Sequence, residues 1–136
     1  MLTSRAFLPA AWMALLCIPL VACGGDDDPI APPPAAAPYD ISIINGVGYR
    51  SDSNLSQNPA VDTITAGTKV RWTWRNTGTA THNVRSAGSP NFPGSADLNV
   101  SGSTFTYTFT TPGTYNYECT MPGHAAAGMI GTLIVQ

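Results

Sequence analysis

The amino-acid sequence predicts an all-β domain over residues 39–136, an antiparallel Greek-key β-sandwich of about seven to eight strands. Composition is the first observation behind this prediction. From Tyr39 onward the 136-residue chain has fifteen Thr but only one Lys and one Glu, which favours strands over helices. The second observation is a series of short runs that alternate apolar and polar residues and end in turn-forming residues.

The predicted strands follow one another at short intervals. They cover residues 41–44, 61–65, 70–74, 81–85, 105–109, 115–119 and 130–135. Residues 86–103 contain two Pro and three Gly and are expected to be irregular.

The aromatic residues of two predicted strands alternate with polar ones. Trp72 and Trp74 are two residues apart, as are Phe105, Tyr107 and Phe109. Because successive side chains of a strand point to opposite faces, each set shares one face. We therefore assign these rings to the hydrophobic core.

Length and charge exclude several classes of protein. A chain of 136 residues is long enough for one domain with extensions. Eight acidic and six basic residues give a formal charge of −2, without a block of Lys or Arg. Nucleic acid is therefore not an expected partner, because phosphate binding needs clustered positive charge.

The first 22 residues are typical of an export signal. Arg5 precedes an apolar run at 6–22, which is shorter than the roughly 20 residues that a membrane-spanning helix needs. The run ends in Leu-Val-Ala-Cys at Cys23, which resembles the lipobox of bacterial lipoproteins. That resemblance implies cleavage before Cys23, lipid attachment to its sulfur and loss of Cys17 with the signal. The alternative is an ordinary signal cleaved near Cys23.

A tether follows the signal. Residues 24–38 read GGDDDPIAPPPAAAP, a composition that cannot bury enough apolar surface to fold. We divide the chain into a lipoprotein signal peptide (1–22), a lipidated Cys with its tether (23–38) and a folded domain (39–136). The expected location is a bacterial membrane, with the domain facing the periplasm or the cell surface. By analogy with lipoprotein sorting, Gly24 rather than Asp after the expected lipidated Cys favours the outer membrane.

Cys119 has no expected disulfide partner, because the lipoprotein resemblance implies that Cys17 is removed and Cys23 is acylated. An inert thiol, a nucleophile and a metal ligand are the three explanations. His124 and Met129 follow Cys119 at intervals of five residues, and the chain has one other histidine, His82. Sulfur and imidazole ligands favour copper over ions that prefer carboxylates.

These residues occur within a longer pattern that resembles the plastocyanin/azurin family of cupredoxins. The pattern comprises Ala66-Gly67-Thr68-x-Val70-x-Trp72, Thr81-His82-Asn83-Val84, Gly113-Thr114-Tyr115-x-Tyr117-x-Cys119, Pro122-Gly123-His124, Gly128-Met129 and Gly131-Thr132. The spacing Cys-x4-His-x4-Met is similar to the ligand loop of rusticyanin.

The resemblance implies a cupredoxin-like fold and one copper ion per chain, alternating between Cu(I) and Cu(II). His82, Cys119 and His124 would be its equatorial ligands, and Met129 its axial ligand. Asn83 would help to fix the ligand loop and donate a backbone hydrogen bond near the sulfur.

Other site chemistries fit the same residues less well. A Cys/His hydrolase would need a free thiolate and a third residue to orient its base. A structural zinc site would need more Cys or His, and a dinuclear copper centre would need a second bridging Cys. Met121 offers a second thioether, but we assign it to the surface or to packing.

The family resemblance implies a type 1 (blue) copper protein that carries single electrons between protein redox partners. It would be a monomeric carrier, not an enzyme, and would contact the membrane only through its lipid anchor. Electrons would leave through His124 at a surface of small, uncharged residues. This partner face comprises Met121, Pro122, Gly123, Ala125, Ala126 and Ala127. The alternative is a module that stores or delivers copper without redox turnover.

Overall fold

The computed structural model describes residues 35–44, 46–75 and 77–136. The strands are β1 (Tyr39–Ile44), β2 (Gly48–Ser51), β3 (Ala60–Ile64), β4 (Thr68–Trp74), β5 (Arg85–Ser86), β6 (Thr104–Phe109), β7 (Gly113–Glu118) and β8 (Ile130–Val135). None of the described residues is helical, and the all-β prediction is confirmed. The expected signal peptide, the expected lipidation site Cys23 and most of the tether lie outside the described residues.

The eight strands form two sheets around a shared hydrophobic core. Sheet 1 has the order β2-β1-β4-β6, and sheet 2 has the order β3-β8-β7-β5. The predicted sandwich and its number of strands are confirmed. The sheets are mixed, however, not wholly antiparallel, because β1 pairs with β4 and β3 pairs with β8 in parallel. Alternation in sequence shows which face of a strand is buried but not which neighbour it runs beside.

The core is centred on β4, which lies between β1 and β6. Trp72 and Trp74 are both fully buried, as predicted. The ring of Trp72 lies 5.5 Å from the ring of Tyr117 in sheet 2, measured between centroids. Phe105 and Tyr107 pack against the core but are only partly buried, because β6 is the edge strand of sheet 1.

Two elements differ from the sequence prediction. β2 is not predicted, because Gly-Tyr-Arg-Ser lacks an apolar alternation, yet it pairs with β1. The strand predicted over 81–85 is reduced to β5 and to an isolated bridge between His82 and Leu98. His82 therefore depends on one irregular segment for its backbone partner.

Across the described part of the chain, the structure contains no helix of the length and hydropathy needed to cross a membrane.

Candidate metal centre

Three side chains from distant parts of the sequence meet at one end of the sandwich. One potential ligand atom from each of His82, Cys119 and His124 lies within 4.8 Å of the others. The Cys119 Sγ is 3.3 Å from the His124 Nδ1, and the two imidazole rings are 4.9 Å apart between centroids. This spacing would allow all three side chains to bind one ion.

The backbone around His82 is held by the segment that contains Leu98. The His82 N–H donates to the Leu98 carbonyl at 2.8 Å, and the Leu98 N–H donates to the His82 carbonyl at 2.9 Å. The indole Nε1 of Trp74 also donates to the Leu98 carbonyl, at 3.0 Å. His82 is thereby connected to the end of the central strand β4.

The His82 side chain is fully buried, and neither of its ring nitrogens has a hydrogen-bond partner. Burial, together with the neighbouring His124, lowers the pKa of His82. This shift favours the neutral imidazole, which has a nitrogen lone pair available. Buried polar atoms normally have partners, so the orphaned nitrogens fit a metal ligand.

Cys119 directly follows β7, as its predicted position at a strand end requires, and is a buried free thiol. The Cys119 N–H donates to the Met129 carbonyl at 3.1 Å, and the Met129 N–H donates to the His124 carbonyl at 3.0 Å. Residues 119–129 therefore form a loop that is closed by backbone hydrogen bonds. Within it, Gly123 and Gly128 adopt φ values of 82° and 96°, which favour glycine.

Asn83 connects the two ligand-bearing segments through its side chain. Its Oδ1 accepts from the Thr120 N–H at 2.9 Å. Its Nδ2 donates to the Thr120 Oγ1 at 2.9 Å and to the Asp97 Oδ1 at 2.8 Å. The carbonyl of Asn83 accepts from the Tyr49 hydroxyl at 2.5 Å. The amide therefore holds the residue after Cys119 beside the residue after His82.

The sequence reasoning includes Asn83 but misses Thr120, Asp97 and Tyr49. The position of Thr120 directly after Cys119 was the only signal available for any of the three. The hydrogen bond expected from the backbone of Asn83 to the sulfur stays a prediction.

Met129 is fully buried and belongs to the hydrophobic core. Its backbone is hydrogen-bonded to that of Cys119, so the structure places it at the closed end of the loop.

The expected partner face is partly solvent-exposed. Pro122, Gly123, Ala126 and Ala127 are exposed, whereas Met121 and Ala125 are partly buried. Met121 packs against the core. Residues 119–129 include no Asp, Glu, Lys or Arg.

The donor set suits a soft or borderline ion. One thiol and two imidazoles are brought together without a carboxylate in the group. Hard cations such as Ca²⁺ and Mg²⁺ prefer oxygen ligands, whereas copper binds thiolate and imidazole. The residues present therefore fit one copper ion.

Comparison with known protein families agrees with this chemistry. Residues 46–136 match the family of copper-binding proteins described as plastocyanin/azurin. The match spans more than half of the chain and includes His82, Cys119 and His124.

Solved structures show the same relationship. A purple cupredoxin from Nitrosopumilus maritimus is 28% identical with a TM-score of 0.54, covering 71% of this chain and 98% of that one. Rusticyanin from Thiobacillus ferrooxidans is 26% identical with a TM-score of 0.53, covering 71% of this chain and 76% of that one.

The fold alone is shared with auracyanin from the photosynthetic bacterium Roseiflexus castenholzii. That protein is 24% identical with a TM-score of 0.53, over 71% of this chain and 94% of the other. Fold, donor set and family match agree, and the chain belongs to the plastocyanin/azurin family of copper-binding proteins.

Proposed function

We propose that this protein is a type 1 copper protein that carries single electrons between larger redox proteins and is not itself an enzyme. The observation that carries the proposal is the convergence of His82, Cys119 and His124 within 4.8 Å. Bound copper would supply the one-electron couple Cu(II)/Cu(I). The protein would supply a fixed set of ligands that suits both oxidation states.

The backbone supports a rigid site. His82 is hydrogen-bonded to Leu98 in both directions, and Cys119 is hydrogen-bonded to Met129 across the base of the loop. The Asn83 amide joins these two parts. Ligands held in this way need little movement when the charge of the ion changes.

Met129 is proposed as the fourth, axial ligand. It is buried at the base of the loop, and its backbone N–H is hydrogen-bonded to the carbonyl of His124. A thioether is a soft, neutral donor that copper accepts. Met129→Leu should therefore alter the reduction potential while the protein keeps one copper ion.

Electrons are proposed to leave through His124. This side chain is only partly buried, whereas His82 is fully buried. The neighbouring Pro122, Gly123, Ala126 and Ala127 are small or uncharged and exposed. Another protein can approach such a surface closely, in a contact of roughly less than 1,200 Å² that favours fast release.

A charge on this surface tests the exit route. Ala126→Glu should slow electron exchange with a redox partner and leave the copper absorption spectrum unchanged. Thr63→Glu adds the same charge at an exposed position of β3 and serves as the control. Equal rates for the two variants would remove the assignment of the exit face.

Export and anchoring are proposed from the sequence alone. The charged start, the apolar run at 6–22 and the lipobox-like residues before Cys23 support an exported lipoprotein. The domain would then act as a monomer at a bacterial membrane, facing the periplasm or the cell surface. Mass spectrometry of the protein from its membrane fraction should show a diacylglyceryl group on Cys23 and no residues before it.

The function is tested by adding Cu(II) to the purified full-length protein. An intense blue or purple absorption should appear, disappear with ascorbate and return on reoxidation, with copper retained throughout. Cys119→Ser should abolish the colour, whereas Met121→Leu, which removes a sulfur that packs against the core, should not. A colourless protein would contradict the proposal. Release of Cu(I) on reduction would favour copper storage or delivery instead.

A further inference from the structure

We propose that Asp97 is a positioning residue of the metal centre, which orients the Asn83 amide and lowers the reduction potential. The effect on potential rests on the proposed electron-transfer function. The effect on the amide does not, because it concerns hydrogen bonds that are present without metal.

The contact between Asp97 and Asn83 joins a surface carboxylate to a buried amide. Asn83 is 1% exposed, and its Nδ2 lies 2.8 Å from the Asp97 Oδ1. The Asp97 side chain itself is half-exposed, at 50%. Asp97 therefore extends the side-chain network around the metal centre to the solvent.

The chemistry of its three neighbouring groups determines which way the Asn83 amide faces. A carboxylate only accepts hydrogen bonds, a backbone N–H only donates, and a hydroxyl does either. Nδ2 must therefore face Asp97, and Oδ1 must face the Thr120 N–H. A flipped amide would place its oxygen against the carboxylate and its NH₂ against another donor.

Without Asp97, this preference would be weaker. The remaining contacts of the amide would both be to Thr120, whose hydroxyl can donate or accept. Thr120 directly follows Cys119, so the orientation of the Asn83 amide affects the position of the backbone next to the sulfur.

Asp97 is held in place by the segment before it. The Val84 N–H donates to the Ser95 Oγ, and the Ser95 N–H donates to the Val84 carbonyl, both at 2.9 Å. The Arg85 side chain packs closely against Gly94, because a Cβ added to Gly94 would lie only 2.6 Å from the Arg85 Cδ. From there its Nη2 reaches the Asp97 Oδ1 at 3.4 Å. These contacts keep the carboxylate within reach of Asn83.

The negative charge of Asp97 also acts on the oxidised site more strongly than on the reduced site. A nearby carboxylate stabilises a doubly charged cation more than a singly charged one. It therefore lowers the reduction potential, and its removal should raise it. Because Asp97 is half-exposed and paired with Arg85, this effect should be larger at low ionic strength.

Two substitutions separate the hydrogen bond from the charge. Asp97→Asn removes the charge but retains an oxygen that can accept from Asn83, whereas Asp97→Ala removes both. Asp40→Asn and Asp40→Ala are matched controls, because Asp40 pairs with one arginine, Arg71, at 2.6 Å on the outer face of sheet 1. All variants are made in the full-length chain.

The first measurement uses the metal-free protein and follows hydrogen exchange of the Thr120 amide. Loss of a hydrogen bond to a charged group should accelerate exchange about tenfold in Asp97→Ala. Asp97→Asn should show a smaller change, and neither Asp40 variant should differ from the wild type. The orienting role would be overturned if exchange in Asp97→Ala changed by less than about twofold. It would also be overturned if exchange in Asp97→Asn accelerated as much as in Asp97→Ala.

The second measurement uses the copper-loaded protein and compares reduction potentials at low and high salt. Both Asp97 variants should have higher potentials than the wild type, with a larger difference at low salt. A shift equal to that of the Asp40 variants would overturn the role in tuning the potential. If the wild type gives no coloured copper complex, the proposed electron-transfer function fails, and the exchange measurement still decides the orienting role.

Discussion

Replacing the buried histidine of the candidate site should stabilise the metal-free protein. His82 is fully buried, and neither ring nitrogen has a hydrogen-bond partner. A neutral imidazole therefore leaves one donor and one acceptor unsatisfied. His82→Leu substitutes an apolar side chain of similar size, which needs no partner.

The expected gain follows from these two atoms. Each buried, unsatisfied polar atom costs about 1–3 kcal/mol, and imperfect packing of the new side chain offsets about 1 kcal/mol. The net gain in unfolding free energy is about 2 kcal/mol, or roughly 10 °C in Tm for a domain of this size. With copper present, the wild type should be more stable than His82→Leu. A ligand at 100 times its Kd would stabilise the wild type by about 2.7 kcal/mol and the variant not at all.

Chemical denaturation measures both effects. Unfolding is followed by tryptophan fluorescence with a copper chelator and then with excess Cu(II). His124→Leu is the matched control, because His124 is only partly buried and its Nδ1 lies 3.3 Å from Cys119, so no comparable gain is expected. A metal-free His82→Leu protein less stable than the wild type would refute the reasoning.

Two other predictions concern pH and packing. The lowered pKa of folded His82 means that the unfolded chain binds more protons below the ordinary value of 6.5. The metal-free protein should therefore lose stability as the pH falls through and below that value, and denaturation of His82→Leu across this range should show a shallower loss. Gly131→Ala would place a Cβ 2.1 Å from the Tyr117 Cζ and should cost about 3 kcal/mol in denaturation experiments. Tyr117→Leu should recover part of that cost; a cost below about 0.5 kcal/mol would contradict the packing around Gly131.

Most strands can be predicted because their side chains alternate along the chain. The strands around Trp72, Tyr115 and Leu133 each bury every second residue, which is a local property of the sequence. Pairing partners are not local. The parallel neighbours β1 and β4 are separated by two other strands, one of them in the opposite sheet, so their alignment depends on the whole fold.

The candidate site also combines residues that are recognisable in the sequence with residues that only the fold brings into contact. Cys119, His124 and Met129 lie close together in sequence, and His82 is the one remaining histidine, so the family resemblance can be carried over to them without knowledge of the fold. Asp97 lies fourteen residues from Asn83 in an irregular segment and reaches it only through the folded chain. A polar residue in such a segment carries no sequence pattern that reveals its contact.

The closed base of the 119–129 loop makes β7 and β8 one continuous hairpin. Glu118 is paired with Ile130 directly below the hydrogen bond from Cys119 to Met129. Residues could therefore be inserted or deleted near the tip, around Ala126, without shifting the register of either strand. A change of length at this tip would alter the spacing between His124 and Met129 while leaving the paired strands of the sandwich intact.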